Sequence, residues 1–272
     1  MLKRIITGLV LIIVLFVPLC IFSGTPAYPI VVSLLGGIAV FEITRCTGLH
    51  RNIPVLCASV LFMLSEGLCS WFVPEQHRLI VMFTIFTVYL LFMLFVLVFS
   101  KGKIDFSVFA SQFFGVFYVT LGFTCIVMIR LLNDHIYLPV LIGPMVTDIS
   151  AYFVGKFLGR HKLIPEISPK KTVEGSVGAI IITVIAFGIY GAVTGEPAGL
   201  PVPGFVVMGI AGAIVSVVSQ VGDLVMSAMK RKFGIKDFGN IFPGHGGLMD
   251  RVDSIIISVP FIYALAYFVF KG

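Results

Sequence analysis

Charge is what this sequence has least of. Only 12% of its 272 residues are Asp, Glu, Lys or Arg, about half of the roughly 25% found in a soluble globular domain. With 58% hydrophobic residues and a mean hydropathy of +1.10, a soluble fold is excluded, because any core needs a polar skin. Disorder is excluded by the opposite excess, since 26 Phe and long aliphatic runs would collapse. Cysteines are also few. Cys20, Cys46, Cys57, Cys69 and Cys125 lie in or beside apolar runs, are odd in number and form no CxxC pair. This excludes a disulfide framework and a thiolate zinc site, and leaves them as small buried hydrophobes. What is present is one apolar run after another. A helical span needs about 20 apolar residues to cross about 30 Å of hydrocarbon, so the composition predicts an all-α polytopic integral membrane protein.

Nine apolar stretches follow, at about 5–23, 27–45, 53–73, 79–100, 106–130, 136–158, 173–194, 202–229 and 252–270. The first follows Lys3-Arg4 as a secretory signal would, but its run is long and no small-residue cleavage site follows, so a retained helix is expected. Cys20 stands in a poor lipoprotein-type cleavage context and is not read as acylated. With the N-terminus cytoplasmic and the spans alternating, 16 of the 19 basic residues fall inside, leaving Arg78, Arg130 and Lys271 outside. Cytoplasmic loops carry the Lys/Arg excess, so nine spans with the N-terminus inside and the C-terminus outside are predicted. The same clustering accounts for the net charge of +6 without a nucleic-acid partner. No internal repeat of the kind seen in many transporters is evident.

Four acids fall well inside predicted spans: Glu42, Glu66, Asp148 and Asp223. An ionisable group at mid-span costs about 2.5–3.5 kcal/mol on insertion scales, which makes each a functional candidate. Glu42 stands three residues before Arg45, a spacing that suggests a local helix pair. Glu66 has no partner in sequence and could bond another helix or serve function. Asp148 and Asp223 each lead into a dense polar stretch.

In the first stretch, Gly155 and Gly159 permit close helix approach. Ser168-Pro169 reads as a turn, Thr172 as an N-cap and Glu174 as a first-turn acid of the next helix. Lys170 and Lys171 precede that helix N-terminus, where cations oppose the macrodipole unless an anion sits between them. Two readings stand: a phosphate site, or ordinary positive-inside lysines. In the second stretch, Asp223, Ser227 and Lys230 share a helix face, as do Asp250 and Asp253 at the start of the last span. Between them, Pro243-Gly-His-Gly-Gly247 is a flexible hairpin whose backbone N–H groups could approach an anion. Carboxylates from two helices over a basic glycine loop suit Mg²⁺ and phosphate. His245 has no second His or Cys near it, which argues against zinc.

Residues 227–253 read Ser227-x-Met229-Lys230-Arg231-x₄-Lys236-Asp237-x-Gly239-x₂-Phe242-Pro243-x-His245-Gly246-Gly247-Leu248-x-Asp250-Arg251-Val252-Asp253. This segment resembles the signature of phosphatidate cytidylyltransferases (CDP-diacylglycerol synthases). Asp148-x-x-Ala-Tyr-Phe and Ile167-Ser-Pro-Lys-Lys-Thr-Val-Glu-Gly175 also resemble blocks of that family. The likeness is sharp over about 148–253, while residues 1–134 match in hydropathy and span number only.

The resemblance implies that CTP and phosphatidate, drawn from membrane lipid, give CDP-diacylglycerol and pyrophosphate with Mg²⁺, and with room for a second cation. It also implies a homodimer in a bacterial inner (cytoplasmic) membrane, with the active site facing the cytoplasm. On this reading Asp223 and Asp250 are first-choice metal ligands and Asp253 an alternate. Lys171, Lys230 and Arg251 bind phosphates, with Lys170 in support. Ser227 is placed with the substrate-binding residues, His245, Gly246 and Gly247 shape the nucleotide loop, and Asp148 orients the Lys170-Lys171 segment or binds a second cation. Residues 1–134 become a scaffold with a possible dimer face, drawn from 79–130, and 135–272 the catalytic region. A CTP-dependent polyprenol or phytol kinase and a membrane transporter are the rival expectations.

Overall fold

The computed structural model describes residues 21–22, 24–132, 134–195, 202–242 and 246–271. The predicted span 5–23 therefore lies almost wholly outside the described residues. Long helices dominate, and seven of those described are long and apolar enough to cross a membrane. The chain divides into two compact units, residues 1–128 with 232–252, and residues 129–231 with 253–272.

The first unit contains α1 (Ala27–Cys46), a 3₁₀ turn (Leu49–Arg51), α2 (Ile53–Phe72), α3 (Glu75–Phe99) and α4 (Phe106–Leu132) up to residue 128. Gly48, at φ +81°, turns the chain out of α1. Asn52 caps α2 by accepting the Val55 N–H at 3.4 Å, with Pro54 in the first turn, where its missing N–H costs nothing. Small residues let α1 and α2 approach closely: a Cβ on Gly67 would fall 2.2 Å from Ser33 Oγ, and one on Gly36 2.6 Å from Met63 Cε. At one level the bundle is tied by a buried polar layer. Gln112 Nε2 donates to Thr44 Oγ1 (2.9 Å) and Ser59 Oγ (3.3 Å), Thr47 Oγ1 donates to Gln112 Oε1 (2.7 Å), and Ser59 meets the Tyr89 hydroxyl (3.1 Å). Nearby, Tyr89 stacks on Phe62 with centroids 4.3 Å apart. α3 is the least covered helix, with Leu79, Ile80, Phe83, Val88, Leu91 and Val98 all exposed. A row of bare apolar side chains on a long helix is a face for hydrocarbon.

The second unit contains α5 (Asp134–Leu158), a hairpin of β1 (Lys162–Ile164) and β2 (Ser168–Thr172), α6 (Val173–Thr194), α7 (Gly204–Lys232) up to residue 231, and α8 (Met249–Lys271) from residue 253. The strands are antiparallel, with Lys162 opposite Thr172 and Ile164 opposite Ser168. The hairpin is a small addition to a fold that is otherwise all-α, as expected, and it corrects the reading of Ser168-Pro169 as a turn. The turn lies at 165–167, and Pro169 sits in a short two-stranded ribbon, where each strand has a free edge that tolerates its missing N–H. Thr172 caps α6, its Oγ1 accepting the Gly175 N–H at 3.1 Å, and Gly195 closes that helix at φ +68°. Glu174, in the first turn, reaches back to the chain ahead of β1, accepting from the Arg160 N–H (3.0 Å) and the His161 N–H (3.2 Å) and pairing with His161 Nδ1 (2.6 Å). Cap and carboxylate together pin both ends of the hairpin to α6.

α5 and α6 pack through glycine. A Cβ on Gly175 would stand 2.7 Å from the Ala151 carbonyl oxygen and 3.0 Å from Gly155 Cα. Because those neighbours are backbone, they cannot give way. Gly175→Ala is therefore expected to destabilise the protein by about 1–3 kcal/mol, seen as a fall in Tm in detergent. Gly188→Ala, whose new methyl would meet only the Phe205 carbonyl oxygen at 3.6 Å, should leave Tm unchanged or slightly raised, since Ala favours helix over Gly by about 1 kcal/mol.

Candidate active site

In the second unit the sequence spends charges where the helices are otherwise apolar. α5 supplies Asp148, β2 supplies Lys170 and Lys171, α7 supplies Asp223, Ser227 and Lys230, and α8 supplies Asp253. Lys171 Nζ pairs with Asp223 Oδ2 at 2.5 Å, and Ser227 Oγ donates to Asp223 Oδ1 at 3.3 Å from one turn further along α7. Lys230, two turns along the same face, is buried and pairs with Asp253 Oδ2 at 3.9 Å. The Ser254 N–H donates to Asp253 Oδ1 (2.9 Å), and the Ser254 hydroxyl donates to Asp148 Oδ2 (3.0 Å). Asp148, Asp223 and Asp253 lie close enough to repel one another, with Lys171 and Lys230 offsetting that repulsion.

Beside this group is a cavity of about 410 Å³, large enough for a substrate headgroup, with Asp148, Lys170, Lys171, Ser176, Gln220 and Asp223 among its lining residues. Its wall also includes Tyr152 and Leu163, so acidic, basic and apolar surfaces meet in one space. Such a lining suits a ligand with anionic and hydrocarbon parts. Lys170 is exposed beside it, while Lys171 is partly buried and committed to Asp223.

The first unit holds the glycine loop. Asp250 Oδ2 accepts the backbone N–H of Phe238 (2.8 Å) and of Gly247 (3.0 Å). Glu42, on α1 and only 2% exposed, accepts the Leu248 N–H on Oε1 (3.0 Å) and the Met249 N–H on Oε2 (2.7 Å). Its hydrogen bonds thus run to the loop about 200 residues away, and the expected local partner Arg45 contributes only a weaker charge attraction. The physical reason is the N-terminus of α8, whose unpaired N–H groups and positive dipole end draw a carboxylate. A Cβ on Gly239 or Gly247 would lie 2.2 Å from Glu42 Oε1, so these positions must be glycine for the carboxylate to fit. Gly246 adopts φ +84°, and the Phe242 N–H donates to its carbonyl at 3.0 Å, closing the hairpin. His245 lies outside the described residues. Arg251 is exposed in the first turn of α8.

Asp148, Lys171, Ser227, Lys230 and Asp223 thus gather with Asp253 in the second unit, and Gly246, Gly247 and Asp250 sit together in the first. The backbone N–H groups of 247, 248 and 249 already serve carboxylates, so Glu42 and Asp250 shape this loop. Sequence reasoning had no access to the Glu42 contact, although a lone Glu in a span was the available signal.

A divalent ion fits the donor chemistry of the second unit, where hard carboxylate oxygens are held by Ser227, Ser254 and backbone N–H groups. Among the described residues no three acidic, His or Cys side chains converge tightly enough to hold a metal by themselves. Mg²⁺ takes one or two carboxylates and completes its shell with substrate phosphates and water.

Comparison with known proteins decides the kinship. A model described as the cytidylyltransferase family matches residues 2–269. The chain belongs to the cytidylyltransferase family. It is 36% identical to a phosphatidate cytidylyltransferase of Bacillus subtilis (strain 168) over 279 aligned positions, covering 97% of this chain and 96% of the relative. It is 30% identical to a phosphatidate cytidylyltransferase of Staphylococcus haemolyticus (strain JCSC1435), with 96% and 97% covered. A third relative of that name, from Staphylococcus saprophyticus, is 33% identical with 76% and 75% covered. The likeness extends through α1–α4, where the motifs alone gave only hydropathy.

The Glu42 clamp predicts a measurable effect. Glu42→Gln keeps the shape but removes the charge-assisted bonds, worth about 1.5–3 kcal/mol each. Limited trypsin digestion should then cut faster at Lys236, with the other sites unchanged; equal protection in both proteins would remove the clamp.

Proposed function

We infer that this protein is a phosphatidate cytidylyltransferase, converting CTP and phosphatidate into CDP-diacylglycerol and pyrophosphate. The observation that carries the reading is the match along nearly the whole of both chains to relatives of that name. Neither a CTP-dependent lipid kinase nor a transporter is favoured by those relatives.

The residues fit the chemistry. An oxygen of the phosphatidate phosphate forms a bond to the α-phosphorus of CTP, and the bond from that phosphorus to the β-phosphate bridge breaks, so that pyrophosphate leaves with the electron pair. No general base is required, because a phosphate monoester with its second pKa near about 6 is already largely dianionic at neutral pH. The task is to gather mutually repelling anions, and positioned cations do that best in a water-poor site. Lys171 and Lys230 are the clamps, held by Asp223 and Asp253 until phosphate replaces the carboxylate partner. Lys170 and Arg251, both exposed, meet the outer phosphates. Ser227 and Ser254 keep the carboxylates oriented. Asp250 and Glu42 hold Gly246-Gly247 and, with His245, the shape of the nucleotide loop. Asp223 and Asp253, with Asp148 as a further ligand, would hold Mg²⁺ and leave a place for a second cation. Bound there, Mg²⁺ would neutralise charge developing on the transferred phosphoryl group.

The membrane arrangement is part of the same reading. Nine spans with a cytoplasmic N-terminus and an outer C-terminus place 16 of 19 basic residues, and both polar loops, on the cytoplasmic side of a bacterial inner membrane. CTP then enters from the cytoplasm and phosphatidate from the bilayer, with 1–134 as scaffold and 135–272 catalytic. For the homodimer, α3 is the part of 79–130 with a free face, because α4 is mostly buried.

The test follows the label. Purified protein given phosphatidate micelles, Mg²⁺ and CTP labelled at the α-phosphorus should place the label in lipid. CTP labelled at the γ-phosphorus should place it in pyrophosphate. Lipid labelled only from the γ-position would identify a kinase, and no turnover with either would overturn the assignment.

A further inference from the structure

The first unit contains a second polar group that the proposed reaction does not use. Four buried oxygens there have no hydrogen-bond partner: Ser33 Oγ, Glu66 Oε1, Thr120 Oγ1 and Thr124 Oγ1. All four residues are at least nine-tenths buried, at 1%, 5%, 3% and 2% exposure. Among the described residues no basic side chain pairs with Glu66. Hydrocarbon supplies no water, so orphaned polar atoms at membrane depth are disfavoured unless they share an occupant.

Contacts on either side place the four at neighbouring levels. Gln112 of α4 bonds Thr44 of α1 and Ser59 of α2. At the other end the Tyr28 hydroxyl of α1 donates to the Ile126 carbonyl of α4 at 3.2 Å, and Tyr28 lies against Trp71 of α2 with centroids 6.0 Å apart. From Ser59 to Trp71 is 12 residues and from Gln112 to Ile126 is 14, so α2 and α4 advance nearly together at 1.5 Å per residue. Glu66 on α2 then lies at the level of 119–120 on α4, and Ser33, which touches Gly67, lies at that level on α1. Thr124 is one turn further along.

We propose that Glu66, Ser33, Thr120 and Thr124 form an intramembrane binding site for a small monovalent cation in the first unit, separate from the phosphate site of the second. One carboxylate and three hydroxyl oxygens are hard donors suited to an alkali ion. The charge selects the valence: one carboxylate with one monovalent ion is neutral, whereas a divalent ion would leave a net positive charge in hydrocarbon. Bound there, the ion ties α1, α2 and α4 together, and α1 is the helix that carries Glu42 to the glycine loop.

The test is thermal unfolding of the full-length protein in detergent, in NaCl, KCl or choline chloride at equal ionic strength. Wild type should gain about 3–6 °C, saturably, in at least one alkali salt over choline, as ligand linkage requires. Glu66→Gln and the near-isosteric Thr120→Val should fold and lose that gain. Asp223→Asn, altered only in the second unit, should keep it. Equal Tm for wild type in all three salts would overturn the site, as would a gain that survives in Glu66→Gln or disappears in Asp223→Asn.

Discussion

A polar atom inside hydrocarbon must find a partner within the protein, and that constraint organises this molecule. In the first unit it produces the layer centred on Gln112, in which Thr44, Thr47, Ser59 and Tyr89 satisfy one another across four helices. In the second it produces the Lys171–Asp223 and Lys230–Asp253 pairs. On the proposed reading a phosphate takes over these two contacts, which separates this polar group from the structural layer around Gln112.

The carboxylates divide by what they hold. Glu42 and Asp250 accept backbone N–H groups and fix the course of a glycine loop, so their charge is spent on chain geometry. Asp223 and Asp253 hold cationic side chains, with Asp223 and Asp148 beside a cavity. Asp250 and Asp253 are one helical turn apart in sequence yet belong to different tasks. Replacing either lysine partner would leave an acid in low dielectric without its counter-charge, an outcome far costlier than losing an exposed ion pair.

Much of this was legible in the residues. Among the described residues apolar run length gave the helices to within a few residues, because crossing hydrocarbon fixes length directly. Thr172 and Glu174 marked the start of α6, and Gly155 marked a close helix approach, since caps and glycine contacts are local. The β-hairpin was not legible: three- and five-residue strands made of charged and proline-containing sequence carry no period-2 pattern. Spacing points Glu42 to Arg45 because sequence reveals i,i+3 neighbours and hides a partner at Leu248. The same blindness concealed the grouping of Ser33, Glu66 and Thr120, which becomes visible only once α1, α2 and α4 have a common register.

The central claim is that Asp223 serves bound phosphate and metal, not the fold. Asp223→Asn preserves shape and removes the charge, so the decisive measurement is its turnover of CTP and phosphatidate alongside its Tm. The account predicts turnover reduced by about 10²-fold or more, the scale of losing one electrostatic group at a reacting centre, with Tm within a few degrees of wild type. Near-normal turnover in a folded Asp223→Asn protein would contradict it.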